Sequence, residues 1–444
     1  MILLIVSIFF LGYLAIALEQ VIRIDKGAIA IFMAAVLWSL LNILSPEAAS
    51  GAIMEQLGSV CSTIVFLFGA MTIVTMVDSH GGFAYISSLM NGNHKKRLLW
   101  SVSILTFFMS AVLDNMTTTI IMIAILNKLL SNKGERLIYA SMIVIAANAG
   151  GAWSPIGDVT TIMLWVGDNV TTGGIITKLI LPSLIALLIP LTIETIYLKN
   201  DMYGFSKIND PGHDLEVHRA QYPNIKDSER KVISILGVGG LLFVPVFRQI
   251  TGLAPFMGVV FVTGVLWLVT EFIYGRRLYY GKKDVMKVRV KKVIQQIDIN
   301  SLMFFFGILM SVAVLEVSGA LGIAANALDQ HLHNIPLIAG SIGVLSSIVD
   351  NVPLVAASIG MYPIADPATV EAGSYVANFV TDGLFWQMIA YCAGVGGSLL
   401  IIGSAAGVVA MGMEKITFGW YLKHITWKAL LGYLAGMLVY LWLN

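Results

Sequence analysis

The sequence predicts an all-α polytopic membrane protein. Of its 444 residues, 57% are hydrophobic and only 12% are charged, about half the charged fraction of a typical soluble domain. Apolar runs approach the roughly 20 residues that an α-helix needs to cross a bilayer. They are 1–18, 27–44, 57–77, 231–247, 256–274 and 425–443. Because these runs lack the period-two alternation of a spanning β-barrel, we expect transmembrane helices.

The distribution of basic residues predicts the orientation, since Lys and Arg concentrate in cytoplasmic loops. With the N-terminus outside, all but Lys178 and Arg248 of the 27 Lys and Arg residues fall in cytoplasmic segments. Segment 98–130 must then enter and leave on the cytoplasmic side as a re-entrant hairpin, and 335–362 forms a hairpin that enters from outside. The first apolar run lacks a basic n-region, so we expect a retained helix and not a signal peptide. The expected location is the cytoplasmic (inner) membrane.

An internal duplication predicts two halves of inverted topology. Three landmarks recur in one order: 66–81 with 304–319, Asp114-Asn115 with Asp350-Asn351, and 150–160 with 396–406. In the orientation above, equivalent helices run in opposite directions, as they do in many secondary transporters. The expected divisions are a first half at 1–198, a polar cytoplasmic linker at 199–230 and a second half at 231–444.

Glycine and proline predict a broken helix in each half. The residues that disfavour a continuous helix are Gly150, Gly151, Pro155 and Gly157 in 137–166, and Gly396, Gly397 and Gly403 in 385–412. Such residues interrupt helical hydrogen bonding or weaken the helix. Backbone opened at membrane depth is tolerated only inside protein or around a water-filled cavity. We therefore expect one midplane site where two broken helices meet two hairpin tips.

The expected site consists of carboxylate, amide and hydroxyl side chains. They are Asp114, Asn115, Thr117, Thr118, Asp158, Thr160, Thr161, Asp350, Asn351 and Ser404. A carboxylate at this depth costs at least roughly 2.5–3.5 kcal/mol and is by default a functional candidate. The alternative is that each hairpin-tip Asp only caps a helix. Oxygen ligands without His or Cys, and without Lys or Arg, suit an alkali or alkaline-earth ion or a proton.

Three motifs resemble those of NhaD-type sodium/proton antiporters, within the broad ion transporter superfamily. They are Asp-Asn-x-Thr at 114–117, Gly-Gly-x-Trp-Ser-Pro-Ile-Gly-Asp-Val-Thr-Thr at 150–161, and Asp-Asn-Val-Pro at 350–353. The resemblance covers nearly the whole chain. It implies exchange of internal Na⁺, often also Li⁺, for external H⁺, and a moving transport domain beside a scaffold domain, commonly in a homodimer. It also implies Na⁺ binding by Asp114, Asp158 and Asp350, with no cofactor besides the transported ions.

The second half departs from the related dicarboxylate carriers, which carry Ser-Asn-Thr at both hairpin tips. Val352 and Pro353 follow Asn351, so the second tip lacks the hydroxyl ligand of that pattern. Ser404 stands where the first half has Asp158. The two half-sites are therefore not equivalent.

Two other functions compete with cation exchange. A Na⁺-coupled carrier of an organic anion or oxyanion needs substrate ligands, and the expected site offers no basic one. An intramembrane aspartyl protease is recognised by Gly-x-Gly-Asp, whereas this chain has Pro155-Ile156-Gly157-Asp158. Like-placed Asp residues also suit an ion site better than an asymmetric acid/base pair, so we do not expect an enzyme. The net charge of +1 gives no reason to expect nucleic acid, and membrane lipid is the expected surrounding.

Overall fold

The computed structural model describes residues 2–17, 22–82, 94–130, 132–198, 225–279, 289–332, 334–348, 350–371 and 373–444. Within these ranges the chain folds into helices and forms no β-strand. Seven of the described helices are long and apolar enough to cross a membrane. The predicted all-α polytopic class is confirmed.

Seventeen of the described helices have eight or more residues. In chain order they are α1 (Ile2–Ala17), α2 (Lys26–Leu44), α3 (Pro46–Ser79), α4 (Lys95–Ser110), α5 (Asn115–Leu129), α6 (Lys133–Ala152), α7 (Val159–Val166), α8 (Thr172–Tyr197), α9 (Asp227–Thr251), α10 (Pro255–Tyr279), α11 (Ile299–Val317), α12 (Ala320–His331), α13 (Ile335–Leu345), α14 (Asn351–Met361), α15 (Leu384–Gly396), α16 (Ala405–Glu414) and α17 (Trp427–Leu443). The remaining turns are α-helical at Val290–Val293 and Phe418–Tyr421, 3₁₀-helical at Ile294–Gln296 and Tyr375–Phe379, and π-helical at Leu422–Thr426.

Two helical hairpins lie where the repeated Asp-Asn pairs predict them. α4 returns as α5, and α13 returns as α14. Asp114 and Asp350 occupy the N-cap positions of the returning helices, and Asn115 and Asn351 are the first helical residues. The hairpin tips therefore place a carboxylate and an amide next to a helix N-terminus, where the dipole favours negative charge.

Both predicted broken helices are present. α6 and α7 are separated by residues 153–158, and α15 and α16 are separated by residues 397–404. The second part of each begins at an equivalent N-cap, Asp158 with φ −144° and ψ 150°, and Ser404 with φ −149° and ψ 156°. The same backbone conformation thus presents a carboxylate in one half and a hydroxyl in the other.

Each broken helix packs onto its own hairpin through a glycine. A Cβ atom on Gly150 would lie 2.2 Å from the carbonyl oxygen of Phe107, and one on Gly396 would lie 2.1 Å from that of Gly343. The two contacts are equivalent by the sequence duplication, with offsets of 236 for the hairpin and 246 for the broken helix. Only glycine allows the backbones to approach this closely, which explains the glycines at these positions.

Serine hydrogen bonds repeat the same pattern. The hydroxyl of Ser110 donates to the carbonyl of Ala147 at 2.6 Å, and the hydroxyl of Ser346 donates to the carbonyl of Ala393 at 2.8 Å. These pairs carry the same offsets of 236 and 246. The duplication therefore extends to the contacts that fasten each hairpin to its broken helix.

The two units meet at the broken helices, because α6 packs against α15 and α16. Beside them, α3 and α11 contact each other, and α11 also packs on α2. Most of the expected linker at 199–230 lies outside the described residues, and α9 begins at Asp227. The division of the chain into halves at this linker stays a prediction.

Candidate ion-binding site

Asp158 is a buried carboxylate at the interruption of the first broken helix. Its side chain is 1% exposed. It caps α7, since the backbone N–H of Thr160 donates to its Oδ1 atom at 3.2 Å. The hydroxyl of Thr161 donates to the Asp158 carbonyl at 3.0 Å and holds the backbone in this conformation. The helix N-terminus therefore supplies the first compensation for the buried charge.

Both hairpin tips contact this carboxylate. The Nδ2 atom of Asn115 lies 2.9 Å from Asp158 Oδ2, and the Nδ2 atom of Asn351 lies 3.2 Å from the same oxygen. Asn115 and Asn351 are equivalent residues of the two repeats and are both buried. One carboxylate thus joins the first broken helix to both hairpins, at the place where the inverted repeats meet.

Asn148 connects this group to the second broken helix. Its Oδ1 atom accepts a hydrogen bond from Asn115 Nδ2 at 3.1 Å, and its Nδ2 atom donates to the hydroxyl oxygen of Ser404 at 2.9 Å. Ser404 also accepts from the backbone N–H of Gly407 at 3.2 Å, as a cap of α16. The predicted residues Asn115, Asp158, Asn351 and Ser404 are therefore brought together, through an asparagine that the sequence analysis did not include.

Two threonine hydroxyls in the predicted set have no hydrogen-bond partner in the described ranges. The Oγ1 atoms of Thr118 and Thr160 are both buried. A buried hydroxyl without a partner loses its hydration without replacement, at a cost of about 1–3 kcal/mol. Thr160 is also the residue whose backbone N–H donates to Asp158, so its hydroxyl lies beside that carboxylate.

Asp114 has the capping role that the sequence analysis gave as an alternative. It accepts from the backbone N–H of Thr117 at 2.7 Å and from the Thr117 hydroxyl at 2.5 Å. Its side chain also lines a cavity of about 210 Å³ together with Asn115 and Thr117. Asp114 is thus both a helix cap and a carboxylate that faces open space next to Asp158's partner.

Asp350 contacts the first helix. Its backbone N–H donates to the hydroxyl of Tyr13 at 3.0 Å, and Lys26 acts electrostatically on its carboxylate. The expectation that no basic side chain lies within the site itself stays a prediction.

The three predicted carboxylates interact without forming a single ligand cluster. Asp114 and Asp350 both act electrostatically on Asp158. Among the residues that the structure describes, no group of three His, Cys, Asp or Glu side chains is placed to hold a metal ion. A cation at Asp158 would take its remaining ligands from amide, hydroxyl and backbone oxygens, which suits a weakly bound alkali ion.

Comparison with known proteins agrees with this arrangement. A family model described as "Citrate transporter" matches residues 13–379. "Sodium/proton antiporter 1" of Arabidopsis thaliana is 42% identical over 436 residues, covering 98% of this chain and 71% of that protein. The "Na(+)/H(+) antiporter NhaD" of Vibrio cholerae is 30% identical over 465 residues, covering 98% of this chain and 91% of that protein. The chain belongs to the NhaD-type sodium/proton antiporter family.

Membership in the NhaD-type family shows a multi-pass membrane transporter and not an enzyme. The prediction of a transporter is confirmed, and the intramembrane protease alternative is set aside. The YdaH transporter of Alcanivorax borkumensis shares the fold, with a TM-score of 0.57 at 12% sequence identity, covering 95% of this chain and 98% of that one. Its published description notes an unusual topology.

In this NhaD-type chain, one sequence signal pointed to Asn148. It is an amide within the apolar stretch that leads to Gly150 and Gly151, and α6 ends at Ala152. A buried amide in an apolar segment needs hydrogen-bond partners to offset its lost hydration, so an Asn at this position calls for polar neighbours. The duplication hid it, because the equivalent position in the second half is Gly394.

Proposed function

We propose that this NhaD-type protein exchanges Na⁺, and also Li⁺, for H⁺ across the cytoplasmic membrane, with both ions competing for Asp158. The relatives named above as sodium/proton antiporters support the exchange. The observation that carries the role of Asp158 is its position, buried and contacted by an amide from each hairpin.

The contacts of Asp158 suggest how one group accepts either ion. In the arrangement described, the amide N–H groups of Asn115 and Asn351 and the backbone N–H of Thr160 surround the carboxylate. Rotation of either amide by about half a turn replaces its nitrogen by its oxygen, which is a ligand for a hard cation. A proton on the carboxylate instead removes the negative charge that attracts the cation.

Competition at one carboxylate is sufficient for exchange. We assume that the protein changes between inward- and outward-facing forms only when Na⁺ or H⁺ is bound. A protein that has carried Na⁺ in one direction then returns with H⁺, which couples the two ion movements. In this proposal Asp114 and Asp350 add negative charge near the site, and Thr117, Thr118, Thr160 and Thr161 supply or position oxygen ligands. Ser404 acts through Asn148. The transported ions are the only small molecules that the proposal requires.

The placement in the membrane belongs to the same proposal. The basic residues support an N-terminus outside and the positively charged connections in the cytoplasm. We place the chain in the inner membrane, in contact with lipid and as a homodimer, with a role in pH homeostasis. No nucleic acid partner is proposed.

The decisive experiment compares purified wild type with Asp158→Asn in proteoliposomes. Na⁺, Li⁺, K⁺ and citrate are added separately while the luminal pH is followed. Wild type should release H⁺ with Na⁺ alone, and its apparent Na⁺ affinity should rise with pH as fewer protons compete. Asp158→Asn should fold, insert and show no exchange.

The matched control is Asp366→Asn, the same change at an exposed loop carboxylate, and it should exchange normally. Proton movement that requires citrate would replace the antiporter proposal by the anion-carrier alternative. Near-normal exchange by Asp158→Asn with an unchanged pH dependence would show that Asp158 is not the shared group.

A further inference from the structure

The cavity beside Asp114 extends to the beginning of α11. Its volume is about 210 Å³. Besides Asp114, Asn115 and Thr117 of the first hairpin, it is lined by Asp298 and Ser301. It therefore joins the proposed site to the end of the molecule at which α11 starts.

Asp298 repeats the arrangement found at the hairpin tip. Its Oδ1 atom accepts from the backbone N–H of Ser301 at 3.2 Å, and its Oδ2 atom accepts from the Ser301 hydroxyl at 2.5 Å. Asp114 makes the same pair of contacts with Thr117. A carboxylate has lone pairs beyond those used by two such bonds, so each Asp can still accept from water or a cation in the cavity.

The charge of Asp298 is not needed for its cap. Asparagine caps a helix N-terminus about as well as aspartate does. The cavity nevertheless carries two carboxylates, and no Lys, Arg or His is among the described residues that line it. Charge of one sign along a cleft with apolar walls raises the local concentration of the opposite ion.

A second cavity provides the comparison. It has a volume of about 250 Å³ and is lined by Gln56, Glu316 and the end of α7 at Met163 and Val166. Glu316 lies near the opposite end of α11. None of the described residues that line this cavity belongs to the predicted site.

We propose that Asp298 recruits Na⁺ at the mouth of the route that leads to Asp114 and Asp158 from the side of the membrane on which α11 begins. This rests on the proposed exchange function and names a residue outside the ion-binding group. Asp298 acts on the ion before binding, so it sets the Na⁺ concentration dependence on one side. The turnover rate at saturating Na⁺ depends on other residues.

The test measures initial Na⁺/H⁺ exchange in vesicles of known orientation, with Na⁺ presented to each face in turn. Asp298→Asn keeps the cap and removes the charge. On the side where α11 begins, the KM for Na⁺ should rise about three- to ten-fold at low ionic strength, with an unchanged maximal rate. The difference should shrink when choline chloride raises the ionic strength, because salt screens the charge. Asp298→Glu should restore most of the affinity.

Glu316→Gln is the matched control, a carboxylate-to-amide change at the other end of the same helix. It should leave the KM on the α11-start side unchanged. A wild-type KM for Asp298→Asn on that side at low ionic strength would overturn the inference. So would a lower maximal rate at an unchanged KM, which indicates a structural role. If wild type exchanges Na⁺ for H⁺ and Asp298→Asn keeps the wild-type KM for Na⁺, only this inference is refuted. If wild type shows no Na⁺-driven exchange, both proposals are refuted.

Discussion

Truncation of the two hairpin asparagines tests the arrangement around Asp158 most directly. Asn115→Ala removes a contact of 2.9 Å to the carboxylate, and Asn351→Ala removes one of 3.2 Å. A hydrogen bond to a charged group contributes about 1.5–3 kcal/mol, and about 1.4 kcal/mol is a factor of ten. The contact of Asn351 is the longer one, so its contribution lies at the lower end of this energy range. We therefore expect Asn351→Ala to lose about ten-fold in apparent Na⁺ affinity. Asn115→Ala should lose about 30- to 100-fold in apparent Na⁺ affinity.

The pH dependence gives the sign of the effect. The amides stabilise the charged carboxylate, so their removal favours the protonated form and lets H⁺ compete better with Na⁺. The loss should therefore be greatest at low pH and narrow as the pH rises. Any difference that persists at high pH reports the loss of an amide oxygen as a Na⁺ ligand. The double variant should lose less than the sum of both, because the two residues share Asp158.

The assay is Na⁺-dependent H⁺ release from proteoliposomes over pH 6–9, as a function of Na⁺ concentration. Asn334→Ala is the matched control, since Asn334 caps the second hairpin at an exposed position, away from Asp158. It should behave as wild type. Wild-type Na⁺ dependence of Asn351→Ala at every pH, or an equal loss in Asn334→Ala, would refute the assignment of the tip amides to the ion site.

Two further predictions concern the packing and the orientation. Gly396→Ala should lower the midpoint of thermal unfolding in detergent, because its Cβ would lie 2.1 Å from the Gly343 carbonyl oxygen and overpacking costs about 1–3 kcal/mol. The control Gly58→Ala has no atom within 4 Å of its Cβ and should not lower the midpoint. Equal midpoints for both variants would contradict the interlocked packing. In a Cys61→Ser background, in which the remaining Cys392 is buried, a cysteine introduced at Pro367 should react only from outside and one at Lys423 only from the cytoplasm. The reverse labelling would invert the proposed topology.

The hairpins and broken helices were predictable because their causes are local. Asp114 and Asp350 stand out in apolar surroundings, and the glycines near 150 and 396 weaken a helix wherever the chain goes. The fold class follows from these features and from the helix lengths. The duplication also indicates that the two hairpin tips and the two broken helices meet. It thereby predicts that Asn115, Asn351 and Asp158 share one site.

The parts that sequence reasoning missed depend on contacts between the halves. Asn148 matters because it lies between Asn115 and Ser404, and no spacing in one half indicates a partner in the other. Asp298 was predictable as a helix cap, but the cavity that it lines is formed by α3, α5 and α7 as well.

The paired glycine contacts have a mechanical consequence. Because Gly150 lies against Phe107 and Gly396 against Gly343, neither hairpin can slide along its broken helix without a backbone collision. On the other side of the cavities, a Cβ atom on Gly307 of α11 would lie 2.5 Å from the carbonyl carbon of Ala30 in α2. Close glycine contacts therefore join backbones on both sides of the cavities.

The two cavities described above lie between two groups of helices, with α3 and α11 on one side and α7 with a hairpin helix on the other. The close glycine contacts lie within each group, and these two cavities lie between the groups. A motion that closes one cavity and extends the other would proceed by displacement along the boundary. Asp158, Asn115 and Asn351 are joined by direct contacts, so such a displacement would move these three residues together.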